Sequence, residues 1–267
     1  MNFERPNFIA CFDENYTVQA LALIESIEKN MKDYFFFVFC MDDRSFNIID
    51  NLKNNKIKVF KFSDFEDTNL KKIKQQRKKN EYFWTITPKL PLIIFDKFKE
   101  INQVTYLDTD IFFLKSPEKI YKNFKLSNKD VLITKHNYSS QYDKSKTSGK
   151  FCVQFLIINR KGYDIIKDWE LLCNDWCYDK IEEGKYGDQK YLDYWPTNYK
   201  NRIFIENNRD AFQGPWNADS TEANNAIVYH FHGLRKITKN FYLFNRGYNI
   251  PTNTKIKIYD LYFNSLK

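Results

Sequence analysis

The stretch Val104-Thr105-Tyr106-Leu107-Asp108-Thr109-Asp110-Ile111-Phe112-Phe113 decides how this chain is read. An apolar strand runs into Leu107, two carboxylates follow one residue apart, and a second apolar run starts at once. Acids in that position sit at the carboxyl end of a sheet strand, where open α/β folds place their ligands. Two carboxylates at i and i+2 of extended backbone point the same way and can share one hard divalent cation. Such a cation can also take diphosphate oxygens and act as a Lewis acid for a departing phosphate. The spacing alone is weak, because a chain this rich in aspartate yields a D-x-D pair by chance. The context is stronger: no Gly or Pro is present to explain a solvated turn.

Working outward, strand-like and helix-like runs alternate on both sides of this segment. Asn7 to Phe12 (NFIACF) reads as a strand, and Tyr16 to Lys29 as a helix with Val18, Leu21, Ala22, Ile24 and Ile27 at helical spacing. Tyr34 to Met41 reads as a second strand, Phe46 to Leu52 as a helix and Ile57 to Phe62 as a third strand. Thr87-Pro88 precedes a helix through Leu90, Leu92, Ile93, Ile94 and Phe98, and Gln103 to Leu107 is again a strand. Asp130 to Thr134, Val153 to Asn159 and Ala226 to Phe231 are strands of the second half, with a helix over Tyr163 to Ile181. Strands alternating with helices argue for βαβ units: an α/β fold with a mostly parallel sheet and helices on both faces. The rest of the second half reads as irregular. The expected organisation is one domain over residues 1–236 and a basic, aromatic tail over 237–267.

The chain has 267 residues, 43% of them hydrophobic, enough for one sizeable core. Charged residues make up 28% with mixed sign, and Gly and Pro number 7 each, which excludes disordered, collagenous and linker-rich classes. The longest apolar run, Phe35 to Met41, is too short to cross a membrane. Met1 to Ala10 lacks the layout of a cleaved signal, and the five cysteines have no paired spacing; both point to reduced thiols and a cytoplasmic location. Cys173 and Cys177, placed at i and i+4 of the same helix, read as a buried thiol pair rather than a zinc site.

Net charge is +8. Lys71 to Lys79 (KKIKQQRKK) holds six cations and no acid, and Leu234 to Lys267 holds seven cations against Asp260 alone. Nucleic acid, an anionic membrane surface or a phosphorylated substrate would each suit that balance, as would a solvated face. The aromatic content of 18% fits a stacking surface for carbohydrate or bases, or simply an aromatic core. There is no G-x-G-x-x-G after the first strand, no P-loop, no H-E-x-x-H and no G-x-S-x-G, so dinucleotide, P-loop, zincin and serine-hydrolase chemistry lose support.

The order of five segments carries a resemblance. Tyr106-Leu107-Asp108-Thr109-Asp110 resembles the DxD signature of GT-A (Rossmann-like) glycosyltransferases that use nucleotide sugars. Four others resemble family 8 of that class: Ile9 to Tyr16 with the helix ending Glu25-Ser26-Ile27, Thr85 to Leu90, Tyr186 to Leu192, and His230-Phe231-His232-Gly233-Leu234-Arg235-Lys236, which fits H-F-x-G-x-x-K. The resemblance implies that Asp108, Asp110 and His230 bind the metal, that Asp108, Gly233 and Lys236 bear on the donor diphosphate, and that Cys11, Asp13 and Asn15 line the nucleotide turn. Asp13 and Asn15 would face base and ribose there. It places Lys89 where the family keeps a basic residue, and Asp188 and Gln189 at the reacting face of the sugar. Where the family has Phe-Asn-x-Gly, this chain has Phe151-Cys152-Val153-Gln154, so an expected donor contact is missing.

Physical chemistry is consistent with these roles. A neutral imidazole suits Mn²⁺, with Mg²⁺ as the alternative, and Lys236 suits a diphosphate as a point charge. Asp13 and Asn15 can equally cap the helix that follows, whose N-terminus is itself an anion site. His232 is the alternative ligand to His230. The expected reaction moves a sugar from a nucleoside diphosphate sugar, a UDP-sugar first, to a hydroxyl of a glycan or lipid-linked acceptor, with retention. An inverting enzyme would need a carboxylate base, for which Asp188 and Asp219 are candidates. The cations and aromatics of the tail suit peripheral contact with the inner membrane face. A nucleotidyltransferase and a basic nucleic-acid-binding protein are the alternatives; the first reading expects no nucleic-acid partner.

Overall fold

The computed structural model describes residues 5–238, 241–243 and 247–266, with backbone alone at 235–238 and 241–243. Seven strands form the central sheet: β1 (Asn7–Phe12), β2 (Phe35–Cys40), β3 (Ile57–Lys61), β4 (Gln103–Leu107), β6 (Val131–Lys135), β7 (Phe151–Asn159) and β8 (Ile203–Glu206), in the order β3-β2-β1-β4-β7-β6-β8. Only β7 runs against its neighbours β4 and β6; the remaining pairs are parallel. The continuous apolar run of β2, FFFVFC, is what a strand covered on both faces needs.

Side-chain alternation splits the core in two. Ile9, Phe37 and Phe39 face one side, where α3 (Thr68–Gln76), α4 (Lys79–Ile86), α5 (Lys89–Lys97) and α7 (Tyr163–Asp175) contribute Leu70, Tyr82, Ile94 and Trp169. Phe8, Ala10 and Val38 face the other, against α1 (Thr17–Asn30), α2 (Asp43–Asp50) and α6 (Glu118–Ser127). The expected α/β sandwich is therefore present. A third cluster joins Ala22 of α1 to Phe112, Tyr229 and Phe231 and to Ile258, Tyr259, Tyr262 and Leu266 from the C-terminal segment. That segment packs on the domain; of its cations, Arg235 and Lys236 lie in β11 (Arg235–Thr238), and Lys239, Arg246 and Lys267 fall outside the described residues.

Several local expectations are corrected. The helix expected to reach Ile181 stops at Asp175, because Trp176 turns extended and buries together with Cys177. Cys177 thus lies beyond the helix, though its thiol still meets that of Cys173. The basic run Lys71 to Lys79 is not wholly solvated. It spans the end of α3 and the start of α4, and Arg77 between them is buried, donating to the carbonyls of Cys173 at 2.6 Å and Asn174 at 2.8 Å. Those carbonyls belong to the last turn of α7, so Arg77 caps it. Helix α6 and strand β8 stand where the sequence reading assigned no element.

What places the site is a small second sheet. Strand β5 (Ile111–Phe113) begins directly after the aspartate pair and runs antiparallel to β10 (Val228–His230), which also pairs with β9 (Phe212–Gln213). In this register His230 is opposite Ile111, and the Phe231 amide donates to the Asp110 carbonyl at 2.8 Å. The chain between Leu107 and Ile111 is a turn, not extended backbone. Thr109 and Asp110 form it, and the Ile111 amide points back to the Asp108 carbonyl at 3.4 Å. The two carboxylates converge through that turn and not through strand periodicity.

Candidate active site

A cleft of about 730 Å³ opens at the carboxyl ends of β1 and β4. Cys11, Asp13, Asn15, Asp108, Asp110, Asp188, Gln189, His230, His232 and Gly233 all line it. Its volume falls in the range of small-molecule sites.

At its floor, His230 Nε2 lies 3.0 Å from Asp110 Oδ1 and 3.9 Å from Asp108 Oδ2. One ligand atom from each of the three residues falls within 4.8 Å of the others, so the donors can close on a single ion. The Tyr106 hydroxyl donates to Asp108 Oδ1 at 2.9 Å, and the Asp108 amide donates to the Gln154 carbonyl at 3.0 Å. Burial, opposed by His230 and assisted by the Asp110 charge, pushes the Asp108 carboxyl up to about 6. Burial also works against the charged forms of Asp110 and His230. Their mutual attraction outweighs it, holding Asp110 below the usual carboxylate range and His230 well above an ordinary histidine. Two acids and an imidazole crowded in this way share charge that a divalent cation would neutralise. Cys152 stands beside His230 with its thiol raised by burial.

At one end of the cleft, Asp13 accepts from the Asn15 amide at 2.9 Å and from Asn15 Nδ2 at 3.3 Å, capping the short 3₁₀ turn Glu14–Tyr16. Capping and cleft lining thus coexist. The Lys79 ammonium pairs with the buried Asp13 carboxylate, so the basic run contributes a cation to the cleft wall. Lys89 does not line the cleft: its ammonium lies 3.3 Å from Glu170 of α7 and 3.5 Å from Asp67, which caps α3. Thr87, two residues earlier, is the cleft residue of that segment. Asp188 is buried, and burial together with the Asp108 charge pushes its carboxyl up to about 8. Gly187 before it holds φ at +51°, the left-handed region that glycine tolerates, with Trp84 against its Cα. Gln189 donates from Nε2 to the Ser148 carbonyl at 2.8 Å.

Gly233 turns the chain after β10 with φ of +77°. Lys236 follows in β11; its side chain lies outside the described residues. Asp219 does not line the cleft but a separate solvent-open depression of about 570 Å³, with Arg209 and Glu222, and there accepts from Gln141. Lys79, Trp84, His136 and Trp216 line the cleft without belonging to any motif. Of these, Lys79 carried a signal in the sequence, as the last cation of the basic run Lys71 to Lys79.

The sheet order, the acidic turn at the end of β4 and the cleft above it define a GT-A glycosyltransferase. Residues 7–151, more than half of the chain, match the family described as Glycosyl transferase family 8, and the chain belongs to that family. It is a glycosyltransferase. Among relatives in Bacillus subtilis (strain 168), it is 28% identical over 241 residues to the uncharacterized protein YfnF, covering 83% of this chain and 79% of that one. It is 24% identical over 281 residues to the uncharacterized protein YfnD, covering 98% and 88%. Among solved structures, mouse xyloside xylosyltransferase 1 superimposes with a TM-score of 0.58 at 11% identity, over 86% of this chain and 98% of that one. The galactosyltransferase LgtC, solved with donor and acceptor sugar analogs, gives 0.53 at 16% identity, over 85% and 87%. GlyE of Streptococcus pneumoniae TIGR4 gives 0.59 at 13%, over 99% of this chain and 60% of that one. At these identities the likeness is one of fold.

Proposed function

We propose that this glycosyltransferase moves a sugar from a nucleoside diphosphate sugar, with UDP as the nucleotide, to a hydroxyl of a glycan or lipid-linked acceptor, with retention at the sugar. The observation that carries the proposal is the meeting of Asp108, Asp110 and His230 around one point of the cleft floor. Two hard oxygens and one imidazole suit Mn²⁺ better than Mg²⁺ or Ca²⁺. When bound, the cation would supply Lewis-acid stabilisation of the departing diphosphate.

The chain's own residues do the rest. Asp13 and Asn15 would face the ribose and base, with Lys79 beside them. The Gly233 backbone, unhindered by a Cβ, would approach the diphosphate, and Lys236 would add a point charge to it. Asp188 and Gln189 would stand at the reacting face of the sugar, Gln189 held by the Ser148 carbonyl. The catalytic unit would span residues 1–236.

Among the described residues no helix is long and apolar enough to cross a membrane. Ile256 and Leu261 are exposed next to Lys255 and Lys257 on the packed C-terminal segment, which supports a peripheral contact with anionic lipid on the cytoplasmic side. The direct test of the reaction is release of nucleoside diphosphate from UDP-glucose, UDP-galactose and UDP-N-acetylglucosamine, with Mn²⁺ or with EDTA. Release from one donor only with the metal supports the proposal; no release from any, with activity on GDP- or CMP-sugars instead, refutes the nucleotide assignment.

A further inference from the structure

Trp216 stands among all three histidines of the chain. Its ring centroid lies 5.2 Å from that of His136, 5.3 Å from that of His230 and 6.0 Å from that of His232. Against His230 the two planes are 87° apart, an edge-to-face contact. The indole is buried, and its position is fixed by hydrogen bonds. Nε1 donates to the His136 carbonyl at 2.7 Å, and Asn217 Nδ2 donates to the same oxygen at 2.9 Å. The Ser139 amide donates to the Trp216 carbonyl at 3.0 Å. Gly214 completes the cradle: a Cβ there would lie 2.7 Å from the indole, so the turn closes over the ring only because that residue has none.

An imidazole that holds a metal normally owes its orientation to a hydrogen bond made by its other nitrogen. His230 has none. Nε2 faces Asp110 and Asp108, while Nδ1 is buried without a hydrogen-bond partner. Rotation of the ring about its Cβ–Cγ bond is therefore set mainly by packing: by the indole, whose plane stands 87° from its own, by the His232 ring 5.7 Å away, and by the Cys152 thiol.

We propose that Trp216 is a positioning residue that holds the His230 imidazole, through this edge-to-face contact in place of a hydrogen bond, with Nε2 turned toward Asp108 and Asp110. The inference rests on the reading of His230 as a metal ligand. It assigns a purpose to Gly214-Pro215-Trp216-Asn217, which no other part of the site explains.

The test is a Mn²⁺ titration of the full chain with UDP present, followed by electron paramagnetic resonance, on the wild type, Trp216→Leu, His230→Ala and the double variant. Loss of a group that orients a ligand should weaken Mn²⁺ binding about tenfold. In the His230→Ala background the same substitution should change affinity by less than about twofold, the scatter expected for independent sites. The ¹⁴N modulation from a coordinated imidazole should fade in Trp216→Leu, and saturating Mn²⁺ should restore its donor turnover. Unchanged Mn²⁺ affinity in Trp216→Leu beside a weakened His230→Ala overturns the proposal, as does equal weakening in both backgrounds, which would mean general loosening. Wild-type affinity in His230→Ala refutes the ligand reading itself, and the positioning role with it. If Trp216→Leu fails to fold, Trp216→Phe and Gly214→Ala take its place, the second disturbing the indole without touching His230. Mn²⁺ affinity unchanged in both overturns the proposal.

Discussion

His230 Nε2 lies 3.0 Å from Asp110 Oδ1 because His230 ends β10, Asp110 directly precedes β5, and these two strands meet in one register. Strand β5 continues straight from the acidic turn, and β10 returns from the far end of the chain to pair with it. The amide after His230 then binds the carbonyl of Asp110 at 2.8 Å. Backbone pairing thus fixes the separation of two side chains that the sequence keeps far apart. Much of the site's precision follows from this small sheet being anchored to the rigid one.

Lys79 and Lys89 should separate function from stability. Lys79 lines the cleft, with 63% of its side chain exposed and its ammonium on Asp13. Lys79→Ala is expected to raise the donor KM about two- to fivefold, the scale of a solvent-screened charge. Lys89→Met removes one of two lysines from the buried Glu170 and touches no cleft residue. It should lower stability by about 1–2 kcal/mol, less than the loss of a sole buried partner, and leave KM unchanged. Steady-state kinetics beside thermal melts check both.

Asp188 makes a prediction about pH. Its folded carboxyl is raised to about 8, far above an unfolded aspartate, so the folded metal-free protein holds a proton that the unfolded chain releases. That contribution to stability is complete below the unfolded value near pH 4 and declines as pH rises toward about 8. Asp188→Asn cannot ionise and should remove the decline. Melting temperatures in EDTA at pH 5 and pH 8 should therefore differ less for the variant than for the wild type. A parallel drop in both proteins would contradict this.

Gly187→Ala forces a Cβ into left-handed backbone and sets it 3.2 Å from Trp84. The conformation costs about 1–2 kcal/mol for a residue with a Cβ. The melting temperature should fall by about 2–6 °C. The larger effect should be on kcat, because the Asp188 peptide moves with it. A fall in stability with kcat intact would show that the position of Asp188 does not matter.

The membrane contact is tested without removing the C-terminal segment, since Tyr259 and Tyr262 belong to the core. Ile256 and Leu261 are 62% and 45% exposed. The pair Ile256→Ser and Leu261→Ser should leave the melting temperature unchanged and abolish flotation with anionic vesicles. Equal recovery of wild type and variant would remove the contact.

Much of the fold was legible because β1 and β2 carry unbroken apolar runs, FIACF and FFFVFC, and α1 repeats apolar residues at helical spacing. Helix α6 was missed: its buried Ile120, Tyr121 and Phe124 are diluted by lysines. The helix from Tyr163 was drawn too long because neither Gly nor Pro marks its end; burial of Trp176 and Cys177 ends it instead. In the site, the acidic pair and His230 stood in motifs, and the structure brings them together. Lys89 was misplaced by local geometry. Residues two apart in helical chain face opposite ways, so Thr87 enters the cleft and Lys89 leaves it. Lys79 and Trp216 left no legible role, because each acquires its neighbours only through tertiary folding.

The central claim, that Asp108, Asp110 and His230 grip a divalent cation beneath a nucleoside diphosphate, is tested most directly by calorimetry of UDP, GDP and CMP with Mn²⁺ and with EDTA, on the wild type and Asp110→Asn. We predict UDP binding that requires Mn²⁺ and is lost in Asp110→Asn while the variant remains folded. UDP binding that persists in EDTA, or that survives the Asp110→Asn substitution unchanged, would contradict the account.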